Sequence, residues 1–143
     1  MATPPRKTPH LLTAEDALHE HLLYFMRMFA EAPAACIVTD PGCMVLDANT
    51  AAQEMLAGPL TALRNKPFRL LVALSDRSAF AAMATDMLLF PFNSSRPLCM
   101  KPLIGLDVDV LFKAALMRTE DGEPEFISWM FIETPSQNVP DLM

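Results

Sequence analysis

The residues best suited to covalent or acid–base chemistry in this chain are three histidines, three cysteines and seventeen carboxylates. The histidines are His10, His19 and His21, all placed before the stretch that reads as the folded core. A Ser–His or Cys–His pair needs both partners within hydrogen-bond reach on a rigid frame, so nucleophilic catalysis is not expected. His19 and His21 stand two apart, a spacing that puts them on different sides of a helix. They make a poor metal pair and read as surface residues. Cys36, Cys43 and Cys99 match no CxxC or zinc spacing and read as small apolar fillers of strands. Glu15/Asp16 and Asp107/Asp109 read as solvated charges. The four glycines form neither a GxGxxG loop nor a P-loop. No catalytic residue and no metal site is therefore expected, and the protein is not expected to be an enzyme.

The whole chain narrows the field further. Its 143 residues fit one domain. Half of them are hydrophobic and a fifth charged, enough for a real core. A net charge of −6 argues against a nucleic-acid surface, because phosphate contacts need a basic face. The one basic cluster, Arg6-Lys7, is too small to supply it. No apolar run reaches the roughly 18–20 residues that span a bilayer, so no membrane contact is expected. Residues 1–9 are polar and proline-rich, unlike a signal peptide. With an odd number of cysteines, that fits a reducing, cytoplasmic setting.

The elements can now be read in order. Residues 1–12 form a tail expected to be disordered. Thr13 is a helix N-cap followed by Glu15 and Asp16 in the first turn, and the helix should reach residue 32, before Pro33. Leu18, Leu22, Phe25, Met26 and Phe29 share one face of it. Leu23, Tyr24 and Met28 put apolar surface on another. A helix apolar on more than one side needs two partners: its own domain and, plausibly for the five-residue stripe, a second copy of the chain. Short apolar runs at 36–39 and 44–46 flank Asp40-Pro41-Gly42, a turn signal. Asn49 or Thr50 then caps a helix over 50–57, with Gln53 positioned for a capping box.

Helical pieces follow at 60–63 and 67–74, and Ser75 or Asp76 should cap a longer helix to residue 89. Asn93-Ser94-Ser95 centre a loop. Strands are expected over 98–103, 107–117 and 126–133, with a hairpin turn at Asp121-Gly122. The last strand carries Ile127, Trp129 and Phe131 on one face and Met130 and Ile132 on the other, so both faces need cover. Helices 50–89 can cover one face, and the first helix is the expected cover for the other. The result is an α+β domain, a five-stranded antiparallel sheet with helices on one face and the N-terminal helix flanking it. The domain spans 33–134, and 135–143 form a polar tail.

The run Val38-Thr39-Asp40, Val45-Leu46-Asp47-Ala48-Asn49 and Ala51-Ala52 resembles the opening of a PAS domain, whose pattern is like V-T-D-x-x-G-x-V-L-D-A-N-x-A-A. One departure is that the family's turn glycine falls on Cys43, with Gly42 one position early. Asn65-Lys66-Pro67-Phe68, Asp76-Arg77-Ser78-Ala79-Phe80 and Glu120-Asp121-Gly122-Glu123-Pro124 extend the resemblance over residues 33–134.

The resemblance implies a sensory or regulatory module and invites three cofactor tests. Haem-binding relatives take an axial histidine from the long helix, and 75–89 contains none. A flavin–thiol photocycle needs a cysteine where this chain reads Asn65-Lys66-Pro67-Phe68-Arg69-Leu70-Leu71. Flavin held without that chemistry stays open, and no cofactor is assigned. Relatives that bind small carboxylates use polar, basic interiors, whereas Phe68, Phe80, Met83, Met87, Phe112 and Met130 imply an apolar one. Those six are either a filled core or a pocket for an apolar ligand such as a fatty acid, a reading the eleven methionines keep open because methionine adapts to varied shapes. The leading expectation is a non-catalytic sensor working through a homodimer, an attached output domain or a partner signalling protein. No kinase, cyclase or DNA-binding domain is expected within the chain. The competing expectation is a purely structural dimerisation module with no ligand.

Overall fold

The computed structural model describes residues 13–89 and 96–134. His10, both tails and the Asn93-Ser94-Ser95 loop centre lie outside the described residues. The first helix, α1 (Ala14–Glu31), starts on a capping box. Thr13 Oγ1 accepts from Asp16 N–H at 3.0 Å, and Asp16 Oδ2 accepts from Thr13 N–H at 3.3 Å. Strands β1 (Ala35–Thr39) and β2 (Val45–Ala48) form the hairpin. Then come α2 (Thr50–Met55), α3 (Leu60–Leu63), 3₁₀ turns at Phe68–Leu71 and Leu74–Asp76, and the long α4 (Arg77–Leu89). Strands β3 (Arg96–Met100), β4 (Val108–Arg118) and β5 (Pro124–Glu133) complete one antiparallel sheet in the order β2-β1-β5-β4-β3.

Period-two alternation sets the inner face. Ala35 and Ile37 of β1, Val110, Phe112 and Ala114 of β4, and Ile127, Trp129 and Phe131 of β5 are all buried. Phe80, Met83 and Met87 of α4 are buried in the same cluster, on the helix face expected from their spacing.

The structure decides one local alternative and corrects several other expectations. Asn49, not Thr50, caps α2: its Oδ1 accepts from Ala52 N–H at 3.0 Å and Cys36 N–H at 2.9 Å, while Nδ2 donates to Ala34 O at 2.9 Å. Gln53 makes no capping box. It bridges instead, donating to Ala48 O and accepting from Leu60 N–H. Asp76 does not cap α4, because its carboxylate accepts from Cys99 N–H at 2.8 Å and ties the start of the helix to β3. Strand β3 ends at Met100 rather than 103, because Lys101 N–H turns to Leu71 O and Leu103 N–H to Leu56 O.

In the β1–β2 turn, Cys43 takes the left-handed backbone, φ 67°. Asp40 closes the turn: its Oδ1 accepts from Met44 N–H and its carbonyl from Cys43 N–H, both at 2.9 Å. Cys43 occupies the position where the resemblance places glycine, and glycine is the residue that meets that φ without steric cost.

The outer face of the sheet is not covered as expected. No residue of α1 is buried, and its main contacts are with α2. Leu18, Leu22, Phe25 and Met26 are exposed, but so are Leu23, Tyr24 and Met28, which were expected on the sheet. Leu111, Met117, Phe126, Met130 and Ile132 of the outer face are exposed as well.

Candidate functional site

Two places deserve description as sites, the space between sheet and helices and the cleft behind it. The first is packed with rings. Phe68, from the first 3₁₀ turn, lies parallel to Phe80 of α4 with centroids 4.9 Å apart. Trp129 of β5 meets both, at 4.9 and 5.1 Å. Phe112 and Phe131 close the group against Trp129 and Phe68. Offset and tilted aromatic contacts of this kind favour one packed arrangement. Trp129 has no exposed surface, and its Nε1–H donates to Thr39 Oγ1 at 3.0 Å.

Five of the six residues expected to line an apolar interior thus meet here: Phe68, Phe80, Met83, Met87 and Phe112. The sixth, Met130, is 45% exposed on the opposite face. It follows Trp129 in a strand, and adjacent residues point to opposite sides of a sheet.

Behind Phe68 and Phe80 lies a cleft of about 270 Å³. One wall is the β1–β2 turn, with Pro41, Gly42 and Cys43. The floor is Pro67, Phe68 and Arg69. The other wall is α4, from Arg77 through Phe80, Ala81, Ala84 and Thr85 to Leu88. It is mostly apolar, with two arginines and Thr85 as its polar side chains, and the Thr85 hydroxyl donates to Ala81 O at 3.0 Å. Arg77 Nε donates to Val72 O at 3.1 Å. Neither guanidinium has an acidic partner among the described residues. Sequence reading missed this cleft, because only packing brings the hairpin turn beside α4.

The thiols are poor nucleophiles. Burial pushes the Cys36 thiol up, opposed by the Ser128 hydroxyl and aided by Asp47. Burial, then the Asp40 carboxylate, pushes Cys43 up to about 11. Cys99 is also pushed up to about 11, by desolvation first and then by Asp107 and Asp109. All three therefore stay protonated at neutral pH, and the thiolate is the reactive form. Among the described residues, no group of His, Cys, Asp and Glu could hold a metal ion, and no helix is long and apolar enough to cross a membrane.

Residues 29–137 match the family profile described as PAS fold. Among solved structures, a PAS domain from Colwellia psychrerythraea superposes with a TM-score of 0.74 at 12% identity, covering 80% of this chain and 97% of that one. The PAS domain of an HTR-like protein from Haloarcula marismortui gives 0.69 at 14% identity, covering 84% and 97%. A domain of a sensory box sensor histidine kinase/response regulator from Geobacter sulfurreducens gives 0.66 at 17% identity, covering 80% and 95%. No curated protein sequence matches.

Proposed function

The chain belongs to the PAS-fold family, and from that premise we propose that it is a non-catalytic regulatory module that signals as a homodimer. The observation that carries this reading is the pair of uncovered apolar surfaces. One is α1, with Leu18, Leu22, Phe25 and Met26 exposed and Phe29 half-buried at its foot. The other is the outer sheet face, with Leu111, Phe126, Met130 and Ile132. Contiguous apolar surface of this kind on a small protein marks an interaction site. A self-complementary surface pairs by two-fold symmetry, so α1 of each protomer would cover the sheet of its partner.

His19 and His21 stand exposed on α1, away from the packed layer, and the thiols are held protonated. Signalling follows when ligand or partner favours one arrangement of this contact over another. An output domain or a separate signalling protein would read that arrangement.

Sedimentation at micromolar concentration tests the reading. A dimer is expected, and a monomer overturns it. The ring-filled interior favours a second reading, a structural dimerisation module without ligand. Native mass spectrometry of freshly purified protein separates the two, because a retained small molecule supports sensing and a bare dimer supports the structural role.

A further inference from the structure

The cleft between the β1–β2 turn and α4 is set apart by its charge. The protein carries a net −6, yet Arg69 and Arg77 are the charged residues that line this cleft. The carboxylates nearest in sequence are engaged elsewhere. Asp40 Oδ1 accepts from Met44 N–H within the turn, and Asp76 Oδ2 accepts from Cys99 N–H on β3. Arg77 spends only Nε on a carbonyl, that of Val72, and keeps its terminal nitrogens. Around these cations the lining is mostly apolar: Phe68, Phe80, Ala84, Leu88 and the protonated Cys43 thiol, with the Thr85 hydroxyl turned to Ala81 O.

We propose that this cleft binds a small amphipathic monocarboxylate. The acid group is held by Arg69 and Arg77, and a short acyl chain or single ring lies on Phe68 and Phe80. Arginine suits the acid group, because its planar fork pairs with a carboxylate through two parallel hydrogen bonds. The volume, about 270 Å³, falls near the lower end of the ~300–1,000 Å³ typical of small-molecule sites, so the ligand is small. This site is distinct from the sheet–helix interior, which the rings fill. Occupancy would reach the sheet by contact, since Phe68 and Phe80 both pack on Trp129. The proposal deepens the sensory reading by naming the ligand class, while its geometry stands independently of the dimer.

Hexanoate, with 1-hexanol as the uncharged control, tests it on the full chain. Trp129 is the only tryptophan, so its fluorescence reports the rings beneath the cleft. Hexanoate should change that fluorescence saturably and shift the backbone amide resonances of Ala81 and Ala84. The alcohol should bind about tenfold more weakly, the scale of a charge-assisted hydrogen bond. Arg69→Gln, at an exposed position, should weaken hexanoate about tenfold and leave the alcohol unchanged, and Ala81→Phe should block both. Equal affinity for acid and alcohol, an unaffected Arg69→Gln, or shifts confined to α1 and the outer sheet face would each overturn the proposal. Sedimentation of the same samples keeps the two readings apart: a monomer that binds hexanoate sinks the dimer and leaves the cleft standing.

Discussion

The Trp129 indole donates to Thr39 Oγ1 at 3.0 Å, with both residues fully buried. The Thr39 hydroxyl itself donates to Asp40 O at 2.9 Å, so the bond links the ring cluster to the β1–β2 turn. Among the described residues the indole N–H has no other partner. Thr39→Val keeps the shape and removes the acceptor, leaving a buried donor unsatisfied at a cost of about 1–3 kcal/mol. Thr39→Ser keeps the acceptor and should cost less. Urea denaturation of the two variants checks the order, and equal losses would show that methyl packing outweighs the hydrogen bond.

A stabilising change is expected at the end of α2. Gly58 N–H donates to Gln53 O and Ala57 N–H to Glu54 O, at 3.1 and 3.2 Å. This is a Schellman ending, which requires a left-handed residue at the position Ala57 holds. Ala57 is exposed and has φ 55°. Ala57→Gly relieves the Cβ clash at that φ and should stabilise by about 1 kcal/mol. A thermal melt that moves down instead of up would show that the flexibility glycine adds to the unfolded chain dominates.

The core of α4 gives a destabilising counterpart. Met83 is buried in the same cluster as Phe80 and Met87. Met83→Ala should leave a cavity and cost about 2–5 kcal/mol. A neutral result in thermal denaturation would mean that the neighbouring side chains collapse into the space.

The thiols set a pH dependence with a definite sign. Cys43 is pushed up to about 11 from the ordinary 9.0, so the fold favours its neutral form. Its contribution is fully present below pH 9 and is lost as pH rises toward 11. Iodoacetamide should therefore label Cys43 in the native protein at a markedly higher pH than in urea, read by peptide mass spectrometry. Labelling at the same pH in both states would show that neither burial nor Asp40 protects it.

The chain order of the strands and the β1–β2 and β4–β5 hairpins were legible because alternation in β4 and β5 is strong and turn residues fall between the runs, whereas the long-range β1–β5 pairing has no local signal. The inward placement of Phe80, Met83 and Met87 followed from helical spacing in the same way. Met130 is hydrophobic enough for the interior, but it follows Trp129 in β5 and strand parity turns it to the outer face. The α1 expectation failed on its own sheet for a related reason: a pattern can say that a face needs cover, but not which chain supplies it. The local turn signal Asp40-Pro41-Gly42 did not show that the left-handed φ falls on Cys43 rather than on Gly42. The Arg69–Arg77 cleft had no local signature, since its walls come from segments joined only by packing.

The proposed dimer contact can be dissected by placing charge on either of its two surfaces. Phe25 is 55% exposed on α1, and Ile132 is 61% exposed on the outer sheet face. Neither is part of the buried cluster, so a charge at either position should leave the monomer folded. In a two-fold contact each substitution occurs twice, and a buried unpaired carboxylate is strongly unfavourable. Phe25→Glu and Ile132→Glu should therefore each shift the sedimenting species toward monomer at micromolar concentration, with circular dichroism unchanged. If only Phe25→Glu dissociates the dimer, the contact is helix to helix and the sheet face is free for another partner. If Phe25→Glu unfolds the protein, α1 belongs to the intramolecular core in solution and its assignment must be reversed. A wild-type protein that is already monomeric at that concentration ends the proposal.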